Sequence, residues 1–313
     1  HGIPTGSSRC SKLCRCHMTS AGLDGFVCHV AVLICLCWYL DLLRLPKASH
    51  GIPTTNYALA NAEIFWPRLK KGQDFHQFAH DGSNQLGISV FFPVPGAIIL
   101  DEGVTPSRSE QIPSVSGAKL LHDVLTSREC DKLIVASESM GFLDHASKAE
   151  PDSRQYDASS PLQSMWLVGD TLNTALFERV RGLLPSGALG LNAHWRFYKT
   201  SRGSKMARHT DGARTGSGMR NGTVLLDAFG DRLSQYSLVV YLNDDFEGGD
   251  LVFIMNEWHR KSVSVPRGAA AFFPHGESSL SKLHEGGLVH RGAKYIFRTD
   301  VLYPIGWNAT FGD

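Results

Sequence analysis

The chain has 313 residues, 42% hydrophobic and 19% charged, enough apolar material to bury the core of one large globular domain or two modest ones. Thirty-one Lys and Arg against thirty Asp and Glu leave a formal net charge of +1, so no global field points to nucleic acid or to an anionic membrane surface. Cys10, Cys14, Cys16, Cys28, Cys35 and Cys37 all lie near the start, which leaves Cys130 alone and excludes an internal disulfide from everything after residue 37.

The first segment, 1–55, stands apart in composition. His1-Gly2-Ile3-Pro4-Thr5 recurs as His50-Gly51-Ile52-Pro53-Thr54, and between the copies lies the apolar run 26–40. Counted on to Leu45, that run reaches the roughly twenty residues that span a bilayer only if Asp41 and Arg44 are included. Three readings stay open: a signal anchor at about 25–45 preceded by Arg9, Lys12 and Arg15, a cleaved signal, or non-native translated sequence. An anchor would place the protein on the endoplasmic reticulum or secretory membrane; without one a cytoplasmic location is expected. Cys10-x3-Cys14-x-Cys16 does not match the paired spacings of zinc modules.

Residues 56–115 read as an irregular lead-in with a strand near 86–92 and the turn-formers Pro93-Val94-Pro95-Gly96 and Pro113-Ser114. At Thr126-Ser127-Arg128-Glu129 a Thr followed three residues later by Glu has the form of a capping box. It predicts a helix from 127 to about 140, stopped by Gly141. Leu162, Trp166, Leu172, Leu176 and Val180 keep helical spacing, predicting a second helix over 161–181 with Pro185 beyond it.

From 191 the texture changes to short apolar segments at 195–198, 236–242, 251–254, 262–265, 269–273 and 295–303, broken by Gly248-Gly249, Pro266-Arg267-Gly268 and Gly286-Gly287. The expected fold is mainly β with flanking helices: a sandwich or a double-stranded β-helix (jelly roll), braced by the two helices.

His209-Thr210-Asp211 places an imidazole and a carboxylate two apart, so on a strand or at its end both side chains point the same way. Alone the pair is common by chance, and a solvated turn is the bland explanation. His284 is the candidate third ligand. Two histidines and one carboxylate on one face of an octahedral ferrous ion leave three positions for a chelating 2-oxo acid and O2. His290 with Arg298 forms a rival arrangement of distal histidine and cation. His194, His259 and His275 lack ligand-like spacing and read as structural or surface residues. The Gly- and Ser-rich segment 212–222, with Arg214 and Arg220, reads equally as a mobile flap or a plain surface loop.

The company of the pair is more specific. Arg196-Phe197-Tyr198-x4-Gly203-x5-His209-x-Asp211-Gly212 is followed by Tyr241-Leu242-Asn243-Asp244-Asp245-Phe246-Glu247-Gly248-Gly249-Asp250. Then come His284-Glu285-Gly286, Gly292-x-Lys294-Tyr295 and Arg298-Thr299-Asp300-Val301. In order and spacing these motifs resemble the prolyl 4-hydroxylase-like family of 2-oxoglutarate- and Fe(II)-dependent dioxygenases, over roughly residues 120–305. The resemblance implies a catalytic domain at 116–306, with a tail at 307–313. It implies Fe(2+) held by His209, Asp211 and His284, and Lys294 paired with the far carboxylate of 2-oxoglutarate. Tyr198 and Tyr241 match tyrosines that can hydrogen-bond that cosubstrate, or are ordinary strand aromatics. Arg298 shares strand parity with Lys294 and is expected on the cosubstrate or the substrate.

The resemblance further implies O2 as oxidant, succinate and CO2 as co-products, L-ascorbate as reductant of over-oxidised iron, and a peptide substrate hydroxylated on proline. Met206, Thr200 and Leu288 depart from the family pattern and leave the substrate open. Competing readings are an oxygenase acting on another side chain or a small molecule, a non-catalytic jelly-roll binding module, and a zinc hydrolase, which would not explain Lys294.

Overall fold

Backbone in a strand shows its side chains alternately to two sides, and here one side faces helices while the other faces a second sheet. The computed structural model describes residues 68–79, 89–143, 160–220, 223–276 and 281–307, which fall in the unit Ile52–Asp313. In chain order the elements are β1 (Phe75–Ala79), β2 (Ser89–Pro93), β3 (Arg108–Gln111), β4 (Lys119–His122), α1 (Ser127–Met140), β5 (Leu162–Leu167) and α2 (Asp170–Val180). There follow β6 (Gly190–Leu191), β7 (His194–Ser201), β8 (Met206–His209), β9 (Gly218–Arg220), β10 (Thr223–Leu225), β11 (Arg232–Tyr241) and β12 (Glu247–Gly248). The last are β13 (Leu251–Ile254), β14 (Arg260–Val263), β15 (Ala270–Pro274), β16 (His284–Gly286), β17 (Val289–Arg291) and β18 (Ala293–Pro304).

The main sheet runs β1-β2-β5-β7-β18-β11-β15-β4-β3, with β6 also on β18, and the smaller sheet runs β14-β13-β16-β8. The two form the double-stranded β-helix expected from the sequence. Apolar residues of both inner faces, among them Val239, Tyr241, Ala271 and Phe273 from the main sheet and Leu251 and Phe253 from the smaller, make one buried cluster. On the outer face of the main sheet Trp195, Phe197, Leu238, Val240, Phe297 and Tyr295 meet Leu133 and Ile134 of α1 and Leu172 and Leu176 of α2. The helices therefore brace the sheet from outside, and the chemistry has the inside to itself.

α1 begins as its sequence predicts: Thr126 is extended, its hydroxyl accepts from the Glu129 amide, and the Glu129 carboxylate accepts in return from the Thr126 amide. Glu129 is fully buried and carries more than the cap, because Arg179 of α2 donates to both its oxygens at 2.9 and 3.0 Å. Burial pushes the Glu129 pKa up, but Arg179 and the two backbone amides that bond it outweigh this and hold it low. The capping residue thus ties one helix to the other.

Two expectations are corrected. The second helix starts at Asp170, and the residues 162–167 are β5. Leu162 and Trp166 have helical spacing, but the run also alternates: Ser164 and Trp166 are buried against the helices, while Gln163, Met165 and Leu167 line a cavity. Strand pairing with β7 on one edge and β2 on the other decides the matter, since it satisfies backbone groups that a short isolated helix would leave to solvent. The lead-in is also less irregular than its turn-formers suggest, because β1, β2 and β3 all join the main sheet. The strand foreseen at 86–92 appears as β2, shifted toward Pro93. The apolar run and the repeated pentapeptide lie outside the described residues; among those described, no helix is long and apolar enough to cross a membrane.

Arg179→Met leaves the Glu129 carboxylate buried without its cation, and this should destabilise the domain by about 3–5 kcal/mol. Urea unfolding at pH 7 measures it, and a loss under about 1 kcal/mol would contradict the argument. The stabilisation from this low-pKa carboxylate is present above the ordinary glutamate range and fades as pH falls through its depressed value.

Candidate metal centre

β8 ends at His209 and β16 begins at His284, and the two residues are direct partners in the ladder between those strands. Cross-strand partners present their side chains to the same side, so the two rings lie 4.3 Å apart between centroids. Asp211, two residues past His209, turns in beside them: its carboxylate lies 3.5 Å from His209 Nε2 and 3.8 Å from His284 Nε2. One donor atom from each of the three side chains falls within 4.8 Å of the others. His290, the rival, is exposed on β17 and outside this cluster.

The donor chemistry suits a divalent ion. His209 Nδ1 bonds the Ala207 carbonyl and His284 Nδ1 bonds the Lys282 carbonyl, each at 2.8 Å. A carbonyl can only accept, so both Nδ1 atoms donate and both Nε2 atoms turn toward Asp211, where a bound metal would take the place of any proton they share with it. Burial lowers the His284 pKa. Burial acts the same way on His209, but the hydrogen bond to Asp211 overcomes it and raises that pKa. Burial would push the Asp211 carboxyl up; Arg298, then His209 and His284, hold it well below the usual range, so it is ionised.

Behind Asp211 stands an ordered chain that sequence reading did not find. Ser237 Oγ donates to Asp211 Oδ2 at 2.6 Å. That uses its only proton, so at 2.7 Å it accepts from His275 Nδ1, and His275 Nε2 in turn accepts from Ser234 Oγ, also at 2.7 Å. The chain requires neutral His275, and burial depresses that pKa to about 4. His275 is thus a buried structural residue, as its lack of ligand spacing implied, but one that fixes the metal-facing carboxylate. On the other side Arg298 ion-pairs with Asp211 and also with Asp300, which Arg196 shares. Ser237 and Asp300 are cross-strand partners on β11 and β18, and Arg298 and Arg196 on β18 and β7. Ser234 and Ser237 belong to no motif, and although Arg196, Arg298 and Asp300 stand within motifs, only the β-register shows that all of them converge.

Lys294 lies on the inner face of β18, four residues before Arg298, with 3% of its surface exposed. Its Nζ donates to the Gly249 carbonyl at 2.6 Å and sits 5.3 Å from the Tyr241 ring centre. Among the described residues no carboxylate reaches it within salt-bridge distance. Burial lowers its pKa to about 8, with Asp250 opposing. A side chain at Gly286 would put its Cβ 3.4 Å from this ammonium and 3.0 Å from the Met206 Cβ. The glycine of His284-Glu285-Gly286 therefore keeps open the space in front of the cation, one step along the β8–β16 ladder from the histidines.

Tyr241 is buried against Lys294 as part of the inner cluster. Tyr198 lines the main cavity instead, together with His209, Asp211 and Arg298. That cavity, about 670 Å³, opens between β5, β7 and the segment after Asp211. The segment is not a free flap in its described part. The Arg214 amide donates to Ser234 Oγ and its carbonyl accepts from the Ser234 amide, Thr215 bridges Leu233, and β9 pairs with β10.

No family model and no curated protein matches the chain. Among solved structures it is similar to a viral collagen prolyl hydroxylase from Paramecium Bursaria Chlorella virus-1, at 17% identity and TM-score 0.41, over 60% of this chain and 96% of that one. A Pseudomonas putida prolyl-4-hydroxylase gives 17% and 0.38 over 59% and 91%, and a 2OG-Fe(II) oxygenase family protein from Burkholderia pseudomallei gives 16% and 0.29 over 43% and 53%. The chemistry rests on its own residues.

A lysine held at about 8 rather than 10.5 costs the folded state about 3 kcal/mol when charged, at about 1.4 kcal/mol per pH unit. Lys294→Met should therefore stabilise the protein without ligands by roughly that amount. The gain should be full below pH 8 and vanish toward pH 10.5, as urea titrations across that range would show. A destabilised variant at pH 7 would mean that Lys294 serves packing.

Proposed function

We propose that the protein is a 2-oxoglutarate- and Fe(II)-dependent dioxygenase that hydroxylates an unactivated C–H bond. The observation that carries the reading is a buried ammonium with no carboxylate partner among the described residues, set beside a two-histidine, one-carboxylate cluster. A fully buried charge of this kind is costly unless a ligand completes it, and the oxo acid's distal carboxylate would do so. A zinc hydrolase would use the same three donors but leave Lys294 unexplained.

In this reading His209, Asp211 and His284 hold Fe(2+), which when bound supplies the activation of O2 and of 2-oxoglutarate. Lys294 receives the far carboxylate, Gly286 and Gly249 leave room for it, and Tyr241 walls that space. The carbonyls of Ala207 and Lys282 keep both imidazoles in the ligating tautomer, and Ser237 and Arg298 hold Asp211 in place. Substrate enters the cavity where Tyr198 and Arg298 stand, so Arg298 belongs to the substrate side. The stoichiometry is R–H plus 2-oxoglutarate plus O2 giving R–OH, succinate and CO2. Peptidyl proline is the leading substrate and L-ascorbate the leading auxiliary reductant, both on the strength of the sequence resemblance.

Anaerobic purification, Fe(II) loading and measurement of succinate from 2-oxoglutarate, with and without proline peptides, tests the reading. Turnover is expected. A folded, iron-loaded protein that forms no succinate would favour a non-catalytic jelly-roll module. His284→Ala should abolish iron binding while His290→Ala retains it. Gly286→Val should raise the 2-oxoglutarate KM at least tenfold and leave iron affinity near that of the wild type, because it fills the space before Lys294 without touching a ligand.

A further inference from the structure

The main cavity has a charge and a shape that the cosubstrate does not use. One flank is apolar, formed by Val90, Met165, Leu167, Val224 and Leu226; the other carries Arg196, Arg214 and Arg298. Arg196 and Arg298 are already matched, since Asp300 pairs with both and Asp211 pairs with Arg298. Arg214 is left over: exposed at the cavity rim, it has no ion pair or side-chain hydrogen bond among the described residues. Its backbone, by contrast, is fixed, donating to Ser234 Oγ at 2.9 Å and accepting from the Ser234 amide at 2.8 Å. Arg196 Nε, buried on the same floor, also lacks an acceptor among the described residues.

Three guanidinium groups against two carboxylates leave the wall one positive charge in excess. A ferrous ion and a 2-oxoglutarate dianion cancel one another, so the excess persists in the loaded enzyme. An apolar wall facing an unmatched guanidinium is the complement of an amphipathic anion, and a guanidinium binds a carboxylate through two parallel hydrogen bonds.

We propose that the substrate hydroxylated here is an organic carboxylate, its acid group on Arg214 and its hydrocarbon part against Val90, Met165, Leu167, Val224 and Leu226. This rests on the oxygenase reading and narrows it. The carboxylate could belong to an acidic peptide or to a free monocarboxylic acid. Ser234, which Arg214 bonds twice, is also the far end of the chain through His275 and Ser237 to Asp211. The anchor and the metal-facing carboxylate are therefore referenced to one rigid set of hydrogen bonds.

The test is anaerobic calorimetric titration of the full chain loaded with Mn(II) and saturating 2-oxoglutarate. Two matched pairs serve as probes: an acetylated Leu-Pro-Glu peptide amide against its Gln counterpart, and octanoate against octanamide. In at least one pair the acid should bind at least tenfold tighter than its amide. Arg214→Gln should abolish that preference, Arg214→Lys should retain part of it, and a circular-dichroism melt checks that each variant is folded. The pair that responds identifies the source of the carboxylate. Equal binding of acid and amide in both pairs, an unchanged preference in Arg214→Gln, or displacement of the acid by 2-oxoglutarate would each overturn the proposal. Failure of the oxygenase reading would show separately, as no heat of 2-oxoglutarate binding and no succinate from the iron form.

Discussion

The site depends on the compensation of one buried carboxylate. Asp211 has 4% of its surface exposed, and a carboxylate so placed must be neutralised by protonation or by neighbours. Here neighbours do it: a guanidinium from β18, a hydroxyl from β11 and two imidazoles from the smaller sheet. Because these come from both sheets, Asp211 can be buried and still ionised only when the jelly roll is closed around it. Folding and the readiness of the centre for metal are then one event.

From Asp211 that arrangement extends into an alternating row of charges on the inner face of the main sheet, Arg298, Asp300 and Arg196. Each internal member has a partner on both sides, so removing one strands the next. Lys294 is the exception on this face. It shares the strand and the orientation of Arg298, yet among the described residues its ammonium meets a carbonyl and an aromatic ring and no carboxylate. A protein selected for stability alone would have little reason to keep a charged amine there, and stability given up at one position is the ordinary signature of a binding site. The contrast between a matched Arg298 and, among the described residues, an unmatched Lys294 therefore separates two cations that share one strand face.

Local signals carried much of this structure. The capping box at Thr126 and Glu129 is present in both directions, and the strand at Leu251–Ile254 falls where its apolar run predicts. Of the candidate site, the pair His209 and Asp211 was legible in its two-residue spacing, whereas Lys294 was reached through the family resemblance. What could not be read depends on register. Ser237 reaches Asp211 only because β11 pairs with β18 at that offset, with an irregularity between Ser234 and Tyr236. His275, dismissed for lack of spacing, acts through two serines and not through a metal. The first part of the helix expected at 161–181 failed for the converse reason. Leu162 and Trp166 satisfy a helical period and a strand period together, and the vacant edge between β2 and β7 chose the strand.

The same reasoning says where variation in specificity can accumulate. Residues that hold Asp211 and the imidazoles are coupled to folding through the closed sheets, so a change there alters stability and chemistry together. The apolar wall formed by Val90 and Met165 belongs to the outer half of the main sheet, and Arg214 to the segment following Asp211. Neither contributes to the compensation of Asp211, and side chains there can change without stranding a buried charge. A jelly roll thus divides its inner face into a part fixed by electrostatics and a part free to suit a substrate.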